Sequence, residues 1–454
     1  MDRPLRVAIV GSGPSGMYAA DALISQTETP VSVDVIDKLP VPFGLVRYGV
    51  APDHLSIRSV RDTLDKVFDK PGVRFVGNVE VGSDISVGKL HGFFDAIVFT
   101  YGASRDRRLG IPGEELDGSV AATDLVAWYC GHPEADRETF ERLIPSTTTA
   151  VVVGVGNVAV DVTRVLAKTL DELTHTDMPE YVFDTLRESS ITDIHVLGRR
   201  GPAQATYTTK ELRELGELLD ADILVDPTDL VFDAASEQVI AGDKAVARNV
   251  EVVKEWATRI PSGKSRRIHL HFMARPVELR GDARVREVLV ERTKLDGSGG
   301  AEGTGEIFVI PADLVVRSVG YRGQALPGVP FDESRNVIPH LDGRVQNANH
   351  EVIGEYVAGW IKRGPTGIIG TNKKDAVASV ASLLADASKL PTAPFATPDD
   401  FDAWLAEAGV HAVSNEGWRA IDAAERALGA THGRDRTTIS TNHDLLRAAN
   451  LICD

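Results

Sequence analysis

The stretch that most constrains this chain is Leu5 to Ala20, LRVAIVGSGPSGMYAA. Val7, Ile9 and Val10 form the apolar β-branched run of a buried parallel strand. Gly11, Gly13 and Gly16 follow at the spacing G-x-G-x-x-G, ahead of a helix predicted from Met17 to Leu23. In such a turn the first glycine permits the tight reversal, and the second lets backbone approach a pyrophosphate. The third lets helix pack closely on strand. The helix N-terminus then offers unpaired N–H groups and a positive dipole end to phosphate. A second strand, Val31 to Ile36, ends at Asp37, a carboxylate placed to accept from an adenosine ribose. Together these features predict a dinucleotide site; a merely structural βα turn would leave Asp37 unexplained.

A second unit of this kind starts near residue 150. Ala150 to Val153 reads as a buried strand, Gly154, Gly156 and Ala159 give G-x-G-x-x-A, and a helix is predicted from Val158 to Leu166. The next strand, Ile194 to Leu197, ends in Gly198, Arg199 and Arg200 instead of an acid. An acid there favours a free ribose 2′-hydroxyl, as in FAD or NAD, whereas arginine accommodates a 2′-phosphate, as in NADP. The planar guanidinium pairs bidentately with phosphate, which suits it to that task. Asp37 therefore predicts FAD or NAD at the first site, and Arg199 with Arg200 predicts NADP at the second. Two such sites on one chain imply hydride transfer between cofactors. Two nicotinamides on one polypeptide would be unusual, so the first site reads as FAD. The fold class is α/β, with two Rossmann-like dinucleotide-binding domains.

The 454 residues suffice for two or three domains at roughly 150 each. A formal net charge of −17 argues against nucleic acid as a partner, since phosphate would be repelled. The two cysteines, Cys130 and Cys453, form no C-x-x-C pair. That fits a reducing compartment and excludes the cysteine pair of flavin disulfide reductases. The first strand begins by Leu5, leaving no room for a signal peptide, and no apolar run approaches the roughly 20 residues that span a bilayer. A soluble, cytoplasmic protein with no membrane partner is expected, and nothing demands more than a monomer.

Between these units the pattern is less regular. Pro40, Pro42 and Pro52 with Gly44 and Gly49 predict a long ordered loop after Asp37. A helix is expected over Ile57 to Phe68, and strands over Arg74 to Val81 and Ala96 to Thr100. The connection Leu109 to Val120 marks a boundary. Further on, Lys210 to Leu219 reads as a helix. Ile268 to Val277 with Val285 to Arg292 reads as an antiparallel pair, and Gly297 to Gly305 as a polar turn. Leu314 to Val319 reads as a strand returning toward the first domain. A helix is predicted over Ala376 to Leu384, and the tail from Thr397 is helical, with Thr397 and Pro398 as cap and first-turn residues.

The motifs VAIVGSGPSGMYAA, LPVPFGLVRYGVAPDH, VGNVEVG, IPGEEL, GNVAVDVTR, VLGRRGP, KELREL, VRSVGY and GWIKRGPTGIIGTNKKDA together resemble ferredoxin–NADP reductases of the adrenodoxin reductase type. The resemblance runs from about Arg6 to the tail. It implies an FAD domain split between residues 1–108 and 323–454, with an NADP domain of residues 109–322 inserted. The implied FAD contacts are Ser15, Asp37, Leu45, Val81, Trp360 and Gly367, Ile368 and Ile369, beside Gly11, Gly13 and Gly16. The implied NADP contacts are Val155, Gly156, Asn157, Val158, Arg199, Arg200, Glu211 and Gly367. The segment GPTGIIGTNKKDA reads independently as a glycine turn opening a helix, whose N–H groups could stabilise negative charge on the flavin ring.

The resemblance also sets His54 and Glu211 near the reacting rings, as proton-handling residues. Read alone, His54 is equally a packing or capping histidine and Glu211 a solvated helix charge. Two positions depart from the family pattern: Leu55 stands where proline is common, and Val155 replaces a polar residue. The implied reaction takes hydride from NADPH to FAD, then single electrons to a ferredoxin-type iron–sulfur protein. The basic run Lys244 to Arg267, with Arg280, Arg284 and Arg286, is the candidate docking face for an acidic partner. A flavin monooxygenase and a non-catalytic NADPH sensor would share both nucleotide units and stand as alternatives.

Overall fold

A computed structural model describes residues 3–297, 299–348 and 350–453. The chain divides into two compact units. One comprises Met1–Arg105, Cys130–Glu134 and Tyr321–Asp454, the other Asp106–Tyr129 and Ala135–Gly320.

The first unit is built on a seven-stranded sheet. Its order is His340–Leu341, Arg344–Asn347, His350–Val357, Ala96–Phe99, Leu5–Val10, Val31–Ile36 and Val73–Val76. The last five run parallel, and all six residues of Leu5–Val10 are buried, as a two-sided apolar strand requires. The chain leaves Leu5–Val10 toward Val31–Ile36 on one side, while Ala96–Phe99 pairs on the other. That reversal of direction opens a crevice at the carboxyl end of the central strand, where open α/β sheets take ligands. The helix Pro14–Ser25 packs against the 18-residue helix Ile369–Asp386. In the tail, Thr397 closes a capping box on the helix Pro398–Glu407, with the Asp400 carboxylate accepting from the Thr397 N–H.

The second unit holds a six-stranded parallel sheet. Its order is Ser119–Ala121, Leu314–Arg317, Thr149–Val153, Asp193–Leu197, Arg266–His271 and Ala221–Val225. A three-stranded antiparallel sheet, Ala274–Arg280, Glu287–Leu295 and Ala301–Pro311, packs on it through Val151, Val153, Leu197, Val288, Val290 and Ile310.

Several local expectations are corrected. The run Ile268 to Val277 is two strands in different sheets: Met273 adopts a positive φ of 49° and reverses the chain, and only Ala274–Arg280 pairs with Glu287–Leu295. The glycine-rich stretch after Gly297 is strand from Ala301 on. Gly303 lies where a Cβ would stand 2.1 Å from Glu291 Oε1, so glycine there serves a bulged ladder and not a turn. Leu314–Arg317 belongs to the interior of the second unit's sheet. The long loop contains one helical turn, Leu45–Tyr48, and the helix expected to Phe68 breaks into Leu55–Arg58, Val60–Asp65 and a tighter turn, Lys66–Asp69. The strand expected to Val81 stops at Val76, ahead of Asn78 with φ 59°. The helix expected over Ala376 to Leu384 extends over Ile369–Asp386. Among the described residues no helix is long and apolar enough to cross a membrane.

Candidate functional site

In the first unit the glycine turn is held by close backbone packing. Gly11 has φ 106°, and a Cβ there would lie 2.7 Å from Tyr101 Cα. At Gly16 it would lie 2.0 Å from the Gly11 carbonyl oxygen. Thr100 Oγ1 locks this corner by donating toward the carbonyls of Val10 and Gly11. Gly13 is different: no described atom lies within 4 Å of the position its Cβ would take. The helix Pro14–Ser25 starts there with no side-chain cap, so its first N–H groups face the same open side.

Asp37, at the end of Val31–Ile36, accepts from the backbone N–H of Ser12 at 2.8 Å, from the Ser12 hydroxyl, and from the Leu39 N–H at 3.0 Å. Burial pushes its carboxyl above the usual range, against those donors. The loop that follows crosses the turn. Phe43, at φ 85°, donates its N–H to the Ser12 carbonyl, and a Cβ on Gly44 would lie 3.2 Å from Gly13 Cα. Leu45 thereby begins its helical turn beside the fingerprint.

The C-terminal part of this unit closes on the same corner. A Cβ at Gly359 (φ 83°) would sit 2.3 Å from Ser15 Oγ. Asp375 braces this loop, accepting from the Gly359 N–H at 2.6 Å, Lys362 Nζ at 2.7 Å and Arg363 Nη1 at 2.9 Å. Trp360 follows; its Nε1 is buried and has no hydrogen-bond partner among the described residues. Gly367 (φ 84°) turns the chain so that Ile368 caps the helix beginning at Ile369, with the Ile368 N–H donating to Thr371 Oγ1. Val81 lies in the apolar core with Val10 and Ile36, and His54 is buried, its carbonyl accepting from Ile57 and Arg58. The open face at Gly13, the Asp37 carboxylate and the orphaned Trp360 N–H fit a flavin adenine dinucleotide.

The second unit repeats the turn with other neighbours. Gly154 has φ 135°, and a Cβ there would lie 2.2 Å from the Ser318 carbonyl oxygen. At Gly156 the nearest atom is Thr206 Oγ1, at 3.2 Å. Asn157 opens the helix Asn157–Ala167 and its Oδ1 accepts from the Thr208 N–H at 2.8 Å, while the Val155 carbonyl accepts from Thr206. Val158, next in the helix, is half-buried. Thr208 in turn caps the helix Thr209–Leu215, which carries Glu211 into a buried position where Oε2 has no hydrogen-bond partner among the described residues. The turn and Glu211 are thus joined through one asparagine. Arg199 is exposed and no described residue pairs with its guanidinium. Arg200 donates to the Gly299 carbonyl at 2.9 Å and more weakly to Gln204. Thr293 Oγ1 and the Met273 N–H donate to the Arg199 and Arg200 carbonyls, fixing the backbone beneath both cations. A free guanidinium beside an open helix N-terminus, with an orphaned buried carboxylate oxygen, fits a phosphorylated dinucleotide.

Sequence reasoning missed Asp375, Gly359, Thr208 and the Phe43–Gly44 crossing. The three glycines of GWIKRGPTG were the available signal for the second of these.

Comparison with known proteins agrees with this geometry. A protein family described as FAD-NAD(P)-binding matches residues 8–144. The NADPH-ferredoxin reductase FprA of Mycobacterium tuberculosis is 42% identical over 461 aligned residues, 98% of this chain and 99% of its own. The mitochondrial NADPH:adrenodoxin oxidoreductase of Arabidopsis thaliana is 37% identical over 98% and 96% of the two chains. The solved structure of M. tuberculosis FprA in complex with NADPH superposes with a TM-score of 0.91 at 41% identity, covering 99% of this chain and all of that one.

Proposed function

Because this chain belongs to the family of NADPH-ferredoxin reductases, we propose that its first unit carries FAD, its second unit takes NADPH, and its electrons pass to a ferredoxin-type iron–sulfur protein. One observation carries the division of labour: the equivalent strand ends bear Asp37 in one unit and Arg199 with Arg200 in the other. FAD, when bound, supplies acceptance of a hydride and release of electrons one at a time. The chain's own residues do the rest.

The Gly13 backbone and the N-terminus of Pro14–Ser25 hold the pyrophosphate, and Asp37 accepts from the ribose. Gly367 turns the chain, Ile368 holds the cap through its N–H to Thr371 Oγ1, and from Ile369 on the first N–H groups of an 18-residue helix form a positive pole for the flavin ring. The Trp360 Nε1–H donates to a ligand acceptor, and Asp375 keeps that loop in place. Arg199 takes the 2′-phosphate, and Glu211 accepts from a hydroxyl or amide of the nicotinamide half through Oε2. His54 holds or moves a proton from its buried position.

For the iron–sulfur partner, docking rests on the cations of the basic run that are not already engaged. Lys264 donates to the Leu218 carbonyl, Arg259 pairs with Glu255, and Arg267 pairs with Asp193. Arg280 pairs with Glu278, Arg284 with Asp313, and Lys254 lies over the Phe232 ring, which leaves Lys244 and Arg248 on the helix Lys244–Thr258, with Arg266 and Arg286, to steer an acidic protein. A monomer in a reducing, cytoplasmic setting accords with two cysteines, buried Cys130 and exposed Cys453, that form no disulfide.

The test is an anaerobic titration with NADPH, then with an iron–sulfur protein, following the flavin spectrum. NADPH bleaches the yellow protein far better than NADH, and the oxidised iron–sulfur protein restores the colour. A yellow form that ignores NADPH points to a sensor, and stoichiometric oxygen uptake with a hydroxylated product points to a monooxygenase. A ferredoxin reduction rate that stays constant from low to high salt removes the steering face.

A further inference from the structure

The second unit's six-stranded sheet carries a cluster of polar side chains that the nucleotide sites do not use. Asp193 and His195 alternate along Asp193–Leu197, and Arg267, His269 and His271 alternate along its parallel neighbour Arg266–His271. The register sets Asp193 opposite Arg267, His195 opposite His269 and Leu197 opposite His271, so the period-two alternation brings these residues to one face. The rings stack: His195 and His269 lie 4.2 Å apart at 8°, and His195 and His271 lie 5.2 Å apart at 11°. His195 Nδ1 is 2.9 Å from His271 Nε2, and His269 Nε2 is 2.9 Å from Asp193 Oδ1. Apolar β-branched residues would fill half-buried positions of a parallel sheet at lower cost.

We propose that Asp193, His195 and His269 bind one divalent transition-metal ion of the zinc type, with His271 orienting His195 and water completing the coordination. One ligand-capable atom from each of the three lies within 4.8 Å of the other two, and all three residues are half-buried and reachable. Two imidazoles and one carboxylate suit zinc-like ions, whereas Mg²⁺ and Ca²⁺ select oxygen donors alone. Tetrahedral bonds of roughly 2.0–2.1 Å hold ligand atoms roughly 3.3 Å apart. The His269–Asp193 pair therefore opens slightly and His195 closes in by side-chain rotation. The other Asp193 oxygen, Oδ2, accepts from Arg267 Nη2 at 2.6 Å and Thr192 Oγ1 at 2.9 Å, which fixes the carboxylate and leaves Oδ1 for the ion. Loading selects the tautomer in which His195 donates to His271, so its other ring nitrogen keeps a lone pair. This is the outer hydrogen bond that orients ligating histidines. The ion pins two adjacent strands just ahead of Arg199.

The experiment uses the full-length flavoprotein, stripped with a chelator and titrated with Zn²⁺ against a chromophoric competitor, then separately with Co²⁺. One equivalent of Zn²⁺ binds the wild type. His269→Gln and Asp193→Asn each weaken it about 100-fold, His271→Gln about 10-fold, and His411→Gln, an exposed histidine of the first unit, leaves it unchanged. NADPH-dependent dye reduction persists in His269→Gln. Zn²⁺ affinity no greater than that of the His195→Gln/His269→Gln double variant overturns the proposal. If variants fail to fold, the wild-type Co²⁺ spectrum decides. Four-coordinate d–d bands without thiolate charge transfer support the site; a thiolate band moves the ion to a cysteine and overturns it.

Discussion

At the third position of the glycine turn the first unit requires glycine and the second does not. A Cβ on Gly16 would stand 2.0 Å from the Gly11 carbonyl oxygen and 2.8 Å from Thr100 Oγ1, whereas the methyl of Ala159 sits fully buried without conflict. The strand-terminal residues differ in the same sense. Asp37 is already committed to Ser12 and Leu39, while Arg199 has no described partner. The first site is a tight, internally bonded seat, suited to a resident cofactor. The second is looser and presents an open cation, suited to a ligand that comes and goes.

The strongest way to break that comparison is to exchange the third residues. Gly16→Ala forces backbone apart and is expected to cost more than about 4 kcal/mol or abolish folding. Ala159→Gly costs only about 1 kcal/mol, the usual penalty inside a helix. Urea unfolding of the two variants reads the difference; equal losses would erase the distinction. Gly13→Ala isolates the cofactor's share, since its methyl meets no described atom: folding without flavin is kept and flavin affinity falls.

Next in size is a buried charge network around the first unit's cofactor loop. Glu425, fully buried, accepts from Arg47, from Arg436 Nη1 at 2.6 Å and from the Ile439 N–H at 2.9 Å. Burial opposes the Arg47 charge, but the Glu425 carboxylate more than offsets it and holds this guanidinium above its ordinary value. The network fastens Leu45–Tyr48 to the helix Asn415–Thr431. Glu425→Ala takes the carboxylate from buried Arg47 and leaves Arg436 with Asp422 alone, and is expected to cost about 3–5 kcal/mol, with flavin released at lower denaturant concentration. Flavin retention that matches the wild type would mean the loop does not need this anchor.

A smaller effect sharpens the second site. Arg199→Gln removes one charge-assisted contact and is expected to lower the NADPH-over-NADH preference by about 1.5–3 kcal/mol, roughly 10- to 150-fold. Arg200 is already shared with Gly299 and Gln204, so Arg200→Gln changes the preference less and loosens that loop. Steady-state kcat/KM ratios for the two nucleotides measure both. A larger loss at Arg200 would reverse the assignment of which arginine faces phosphate.

The parts of these sites that the sequence made legible are local ones. Strand, glycine turn, helix and terminal residue lie within about fifty positions of one another in each unit, and the glycine spacing alone marks the turn. What stayed hidden is set by partners remote in the chain. Asp375 braces Gly359, Gly44 lies over Gly13, and Asn157 reaches Thr208; contacts of this kind leave no periodic trace. The reversal at Met273 was masked because apolar alternation continues across it, and Gly303 looked like turn because its partner's carboxylate, not its own side chain, fills the space.

The smallest effect concerns pH and again separates the units. The first unit takes in Cys130–Glu134 from between two stretches of the second, and His132 on it lies 4.8 Å from the Tyr48 ring and accepts from the Glu134 N–H at Nδ1. Burial, set only partly against the Glu134 charge, pushes this imidazole down to about 4. An unfolded histidine takes its proton near pH 6.5, so between pH 6.5 and about 4 the unfolded chain binds more protons than the folded one. Stability from neutral His132 is therefore complete above pH 6.5 and is lost as pH falls toward 4. Because the ring is half-buried, the loss is on the order of 1 kcal/mol after solvent screening. His132→Asn should flatten that limb in chelator-treated buffer. The slope that remains is shared between His340 of the first unit, which burial also pushes down, and the second unit, where burial holds His195 at about 3 and His271 at about 4. An unchanged slope in His132→Asn would assign the acid limb to the other buried histidines and remove His132 from it.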